Sequence, residues 1–264
     1  MFGRRKVTRV DFIVGGVQKA GTTALHDFLA QHPHVALLRD QALHFFDKEE
    51  NFGPSRTGPL GAPDYEILHS NFDPPRNWKI AGEVTADYLY YPRALERIAA
   101  YNPAMKLVIS LRNPIERAFS QWNMRREKNQ EPLEFLDALK HDQQIGLAKN
   151  PRGNAYIARS LYAPQLGKVF ALFPRENVLV IKYEDLRHKP EHVVRQLFEF
   201  LGLEHRKVKN KHRNVGSYSR KLTSEEREFA SKLFEDDISK IETLLGWDCS
   251  DWRSSAETAA SLPR

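Results

Sequence analysis

Short apolar runs alternating with amphipathic helical stretches constrain this chain more than any other feature of its sequence. Residues 8–16, TRVDFIVGG, are rich in β-formers and end in glycine. The helical stretch TTALHDFLAQH follows, with Leu25, Phe28 and Leu29 at helical spacing. Gly21 permits the turn before it, and Thr22 or Thr23 is placed to cap it. A second strand candidate, KLVISL at 106–111, runs into Arg112 and then Asn113-Pro114, a cap followed by proline at the first helical position. The helix after it sets Ile115, Ala118, Phe119 and Trp122 on one face. A third strand, NVLVIKY at 177–183, precedes a helix carrying Val193, Val194, Leu197, Phe198 and Leu201. This alternation predicts an α/β fold built on a parallel sheet covered on both faces. Two stretches fit it poorly. Residues 51–75 are rich in Gly and Pro and read as a surface loop, and residues 126–156 carry weak helix signals and many polar groups. Such long segments either shape a substrate pocket or are inert excursions.

The chain has 264 residues, enough for one substantial core, with no internal repeat and no long low-complexity linker. A single domain over 1–264 is expected. No apolar run reaches membrane-spanning length. The opening MFGRRKVTRVDFIVGG sets basic residues before an apolar patch too short for a signal peptide. Cys249 is the one cysteine, so no internal disulfide and no cysteine metal cluster can form, and a cytoplasmic location is expected. The formal charge of +6 suits an anionic ligand or simply a solvated basic surface. Nucleic-acid binding would call for a basic stripe with interleaved aromatics, and the sequence has no clear one.

The segment GGVQKAGTTAL, 15–25, reads as a phosphate loop with an unusual ending. A strand, a glycine turn and a helix N-terminus present free backbone amides and a helix dipole to an anion. Lys19 adds a mobile positive charge, and Thr22 and Thr23 add hydroxyls. In nucleoside triphosphatases the loop lysine follows the last glycine and precedes a Ser or Thr that holds magnesium. Here Lys19 comes before Gly21 and the loop is shorter, which fits a phosphate with no obligatory metal. The plainer alternative is a strand–turn–helix corner with a surface lysine. A second constellation weighs against that. Arg112 stands at a strand end and Ser120 eight residues on along the next helix, a guanidinium fork and a hydroxyl suited to a terminal phosphate. If the two strands are neighbours, both donor sets leave the same sheet edge, where α/β folds bind ligands. Taken alone, Arg112 would read as a structural ion-pairing residue.

Together, VGGVQKAGTTAL and LRNPIERAFSQW resemble the sulfotransferases that use 3′-phosphoadenosine-5′-phosphosulfate, most closely the bacterial and Golgi-type carbohydrate-modifying branch. The resemblance runs over nearly the whole chain, through HFFD at 44–47, GEVTADYLYYP at 82–92, SLYAPQLGKVFALFP at 160–174, VLVIKYEDL at 178–186 and LFEDDISKIETLLGWD at 233–248. It implies a three-layer, P-loop-like α/β sandwich with a central, mostly parallel sheet flanked by helices. It implies that Lys19, Ala20, Gly21, Thr22 and Thr23 hold the 5′-phosphosulfate and that Arg112 and Ser120 hold the 3′-phosphate. It points to the basic stretch 209–221 as a late loop over the nucleotide, with Arg213, Gly216, Ser217 and Tyr218 as contacts, although no clean Arg-Lys-Gly or Lys-Gly-Arg signature is present. The donor arrives already activated, so a magnesium-holding Ser or Thr after the lysine is not required and no metal is expected.

The resemblance breaks at the acceptor's base. The branch commonly carries a Glu two residues before the His of HFF, with a Lys before that Glu. This chain reads RDQALHFFD, so Gln41 and Ala42 stand there instead. If the segment is extended, residues 42 and 44 face the same way, and His44 can reach the space Ala42 leaves. An imidazole titrates where a neutral-pH base should. His44 is therefore one candidate base beside Lys19 as the leaving-group donor; Asp40, Glu83 and Asp87 are alternatives, and a packing role beside Phe45 and Phe46 is the plainer reading. Two rivals to a sulfotransferase remain: a nucleotide-binding homologue that has lost the base, and an ATP-dependent kinase. The acceptor, a small molecule or carbohydrate, is not readable, although Trp78, Tyr88, Tyr90, Tyr91 and Tyr156 offer rings for stacking and the basic excess favours acidic acceptors.

Overall fold

A computed structural model describes residues 6–39, 42–53, 63–146, 154–209, 218 and 220–253. The chain falls into two compact units, one of residues 1–111 and 168–215, the other of residues 112–167 and 216–264.

The first unit holds the sheet. Strands β1 (Phe12–Gly16), β2 (Val35–Leu37), β3 (Ile80–Val84), β4 (Lys106–Leu111) and β5 (Val178–Lys182) lie in the order β2-β3-β1-β4-β5, with every pairing parallel. This is the parallel sheet that the apolar runs predict. β1 sits at the centre and is buried at all five residues, because FIVGG offers only apolar side chains or none to the layers on either face. Its register pairs Phe12 with Gly82 of β3 and with Lys106 of β4. Gly82 is required there: a Cβ at that position would run into the Phe12 ring. Helices α1 (Thr22–Leu29), α2 (Glu66–His69), α3 (Ala94–Tyr101), α7 (Tyr183–His188) and α8 (Pro190–Leu201) complete this unit. On α8 the predicted stripe of Val193, Val194, Leu197, Phe198 and Leu201 is buried, packed in one core with Leu25, Phe28 and Leu29 of α1.

The second unit is helical. α4 (Pro114–Glu127) begins as the sequence predicts: the Asn113 side chain accepts from the Ile115 and Glu116 amides at 3.0 and 3.4 Å, and Pro114 takes a position with no amide to satisfy. Its predicted face is buried, with Phe119 stacked on Trp122 at 5.5 Å and edge-on to Phe135. Phe135 belongs to α5 (Phe135–Ile145), an 11-residue helix inside the stretch whose helix signals are weak. α6 (Tyr162–Leu172) starts in this unit, where Asp237 of α9 (Ser224–Leu245) accepts from the Tyr162 and Ala163 amides at 2.7 and 3.0 Å. Two quoted motifs, SLYAPQ and LFEDDI, thus meet through one carboxylate. A capping box of Thr223 and Glu226 opens α9, and the short α10 (Ser250–Arg253) buries Trp252. Among the described residues no helix is long and apolar enough to cross a membrane.

Candidate functional site

The turn after β1 is tied down on both sides. The Val17 amide donates to the Ser110 carbonyl of β4 at 2.9 Å, the Leu89 amide donates to Gly15 at 2.9 Å, and the Ala20 amide closes back on Val17 at 3.1 Å. Lys19 takes a left-handed backbone, φ 76°, a conformation rare for a residue with a side chain and concentrated at functional turns. Gly21 follows at φ 81° and is itself the N-cap of α1. Thr22 and Thr23, expected as possible caps, are instead the first two helical residues, and no side chain caps the helix. The reason is steric. The chain enters α1 through a left-handed residue packed against α7, where an added Cβ would lie 2.7 Å from Leu186 and 3.1 Å from the Tyr183 ring; only glycine fits. The helix N-terminus therefore keeps its dipole and its first amides unscreened by a side-chain oxygen, with the Thr22 and Thr23 hydroxyls beside them. Below the turn, the Ser110 hydroxyl is fully buried and makes no hydrogen bond.

β4 is the parallel neighbour of β1, and the residue after its end is Arg112, the first of the helical unit. Its guanidinium is nearly buried, donates to the Tyr218 hydroxyl at 3.2 Å and lies 4.0 Å from Glu116, whose carboxylate is engaged more closely by Arg227 at 2.6 Å. Ser120 is buried one turn beyond Glu116 on α4. Arg117 is fully buried in the same unit. It donates to Ser160, Gln121 and the Tyr156 carbonyl at 2.7–2.9 Å. Desolvation, with Arg159 and Arg112 as like-charged neighbours, pushes its pKa down to about 10. Positive charge is thus concentrated around α4. Of the four late-loop residues, Tyr218 is described and meets Arg112; Arg213, Gly216 and Ser217 lie outside the described residues.

The candidate base sits in the first unit. His44 Nδ1 donates to Asp47 Oδ2 at 2.8 Å, and its Nε2 lies 3.9 Å from Asp87 Oδ2. The Asp47 hydrogen bond raises the imidazole pKa, with the charges of Asp47 and Asp87 adding to it against the cost of burial. Glu83 on β3 is fully buried, and desolvation pushes its carboxyl up to about 8. The expected extended segment is not formed: Ala42 and His44 both take left-handed backbone, φ 60° and 56°, because the chain turns there to bring Asp47 under the imidazole. Ala42 is exposed, and its amide donates to the Val84 carbonyl at the end of β3 at 3.2 Å. Asp40 and Gln41 lie outside the described residues.

Residues 9–236 match the family model described as a sulfotransferase domain. The chain belongs to the sulfotransferase family. A sulfotransferase from Alicyclobacillus acidocaldarius, solved by crystallography, is similar over 94% of this chain and 100% of its own, at 30% identity and a TM-score of 0.77. The human heparan sulfate glucosamine 3-O-sulfotransferase 6 is 32% identical over 213 residues, 80% of this chain and 56% of that protein. The chain therefore spans about half the length of the curated relatives it matches. A mouse sulfotransferase complexed with PAP shares the fold at 15% identity and a TM-score of 0.50, over 88% of this chain and 86% of its own.

Within this sulfotransferase chain, the two donor sets read from the sequence follow neighbouring parallel strands. Ala20 is fully buried. Three of the five aromatics offered for stacking are core residues. Tyr88 accepts from the Phe45 amide at 3.0 Å, Tyr156 donates to Glu131 at 2.8 Å, and Trp78 is buried; Tyr90 and Tyr91 keep partly exposed rings. Asp47 is absent from the candidates because the segment was weighed only as extended chain. The i, i+3 spacing of His44 and Asp47 was the available signal, since it brings a carboxylate back to the imidazole only in a turn.

Proposed function

We propose that the protein transfers a sulfuryl group from 3′-phosphoadenosine-5′-phosphosulfate to a hydroxyl or amine of a carbohydrate or other small acceptor. The observation that carries this reading is the entrance to α1: a left-handed lysine, a glycine cap and a helix N-terminus with no side-chain cap, a cradle for a small tetrahedral anion. The donor's residues fit. Lys19, Ala20, Gly21, Thr22 and Thr23 would hold the 5′-phosphosulfate, and Arg112 and Ser120 the 3′-phosphate, with Arg213, Gly216, Ser217 and Tyr218 from the late loop. When bound, the donor supplies an activated sulfuryl group on a phosphate leaving group. Lys19 and the first amides of α1 hold the negative charge that gathers on the leaving phosphate oxygen. His44, its Nδ1 proton fixed on Asp47, offers Nε2 to the acceptor proton. The relatives' printed substrate, heparan sulfate, makes an acidic carbohydrate the first acceptor to try, in keeping with the net charge of +6. The single cysteine supports a cytoplasmic setting.

Calorimetry and a labelled-donor assay test this together. Adenosine 3′,5′-bisphosphate should bind in preference to ATP, and radiolabelled sulfate should pass from the donor to heparan sulfate or to another member of an acceptor panel. Preference for ATP with magnesium would favour a kinase. Binding with no transfer to any acceptor would favour a homologue that has lost its chemistry.

A further inference from the structure

We propose that Asp87 is a positioning residue for sulfuryl transfer: from the segment after β3 it supplies the second carboxylate that Ala42 does not provide, and it stands opposite Asp47 beside the imidazolium that His44 becomes when it takes the acceptor proton. The inference rests on the sulfuryl-transfer reading above.

The geometry is a three-membered row. Asp47, with its side chain 3% exposed, accepts from Nδ1 at 2.8 Å; His44 is 31% exposed and so open to an acceptor; Asp87, 12% exposed, stands 3.9 Å from Nε2. The Asp47 contact fixes the neutral tautomer, because a carboxylate beside Nδ1 keeps the proton there and leaves the lone pair on Nε2. That lone pair is on the side of Asp87. The Ala42 amide is bonded to Val84 and Asp87 is three residues beyond Val84, so the end of β3 places both the position without a carboxylate and the residue with one. Val84, Asp87 and His44 belong to the same compact unit.

The roles follow from proton and charge accounting. As the acceptor oxygen or nitrogen bonds to sulfur and the bond from sulfur to the leaving phosphate oxygen breaks, the acceptor proton passes to His44 Nε2. The imidazolium so formed has Asp47 on one nitrogen and Asp87 beside the other, and returns its proton to water after product leaves. An anion 3.9 Å from Nε2 favours that cation, in the same direction as the raised imidazole pKa. The other charged groups around the imidazole are Lys48, which opposes the cation, and Glu83, whose burial keeps it largely protonated at neutral pH.

Two readouts test it on the whole chain. The first needs no acceptor: NMR titration of the His44 ring. Asp87→Asn should lower its midpoint, and Asp87→Glu should restore most of that shift. The second is transfer of labelled sulfate from the donor to heparan sulfate as a function of pH. Asp87→Asn should reduce kcat about tenfold, leave KM for the donor unchanged and move the acid limb down in pH, and the double variant Ala42→Glu with Asp87→Asn should recover rate. A His44 titration and acid limb both unmoved by Asp87→Asn overturn the proposal. Absence of transfer by the unaltered protein with the titration shift intact counts against the sulfuryl-transfer reading and leaves the placement of Asp87 standing.

Discussion

Lys19 is asked to do two things that its residue type makes compatible. It holds a strained backbone at φ 76° and carries a long, flexible cation. Lys19→Ala should keep the turn, since alanine meets the same backbone demand, and remove the charge. The expected loss in kcat is about 10²–10³, the usual cost of deleting one donor at a developing negative charge; a rate within threefold of the parent would remove Lys19 from the chemistry. Glu83 makes a different prediction, about stability. Its folded pKa of about 8 lies above the ordinary carboxyl value of 4.5, so the folded state prefers the protonated form. The contribution is fully present below the unfolded value and is lost as pH rises from 4.5 towards 8. Glu83→Gln, which mimics the protonated form, should therefore melt at a higher temperature than the parent at pH 7, with the gap closing near pH 4.5. Equal melting temperatures at pH 7 would mean that the carboxylate is better solvated than its burial indicates. His44 shows where residue-level reading failed. Its nearness to residue 42 and its i, i+3 spacing from Asp47 were both visible in the sequence, but which carboxylate the ring meets was decided by the left-handed backbone at residues 42 and 44.

At the level of elements, the corner between β1 and α1 depends on Gly21. Gly21→Ala meets a left-handed backbone, costing roughly 1–2 kcal/mol, and a contact of 2.7 Å with Leu186 on α7. Thermal melts should show the destabilisation, and bisphosphate binding should weaken with it; a variant as stable as the parent would mean that α7 shifts freely. The same scale shows which elements the sequence declared. β1, β4 and β5 were legible because each is a nearly unbroken apolar run, and α4 and α8 because their buried stripes keep helical spacing. β2 has three residues, too few for a pattern. β3 reads IAGEV, and its glycine and glutamate hide it: Gly82 yields space to Phe12, and Glu83 is buried with its charge suppressed. α5 was obscured by its polar face, since only Phe135, Ala138 and Leu139 turn inward. The glycine turn into α1 was legible because glycine spacing is a backbone signal, whereas the surroundings of His44 depend on side chains brought from separate segments.

For the whole molecule, the decisive property is the response of stability to the proposed donor nucleotide. A ligand that binds only the folded chain raises unfolding free energy by about 2.7 kcal/mol at one hundred times its dissociation constant. Adenosine 3′,5′-bisphosphate should shift the melting temperature accordingly, and the shift should be the same with EDTA present, because Ala20, and not a Ser or Thr that would hold magnesium, directly follows Lys19. A shift that requires magnesium would move the chain towards the triphosphate-binding reading. Among the described residues no cluster of three or more His, Cys, Asp or Glu is arranged to hold a metal ion.

The open entrance of α1 also has a practical side. A helix that spends none of its own oxygens on its first amides will accept whichever tetrahedral ion the solvent provides. On the proposed function, inorganic sulfate and phosphate should therefore compete with the donor, and transfer rates measured in phosphate buffer or ammonium sulfate should fall below those measured without these ions.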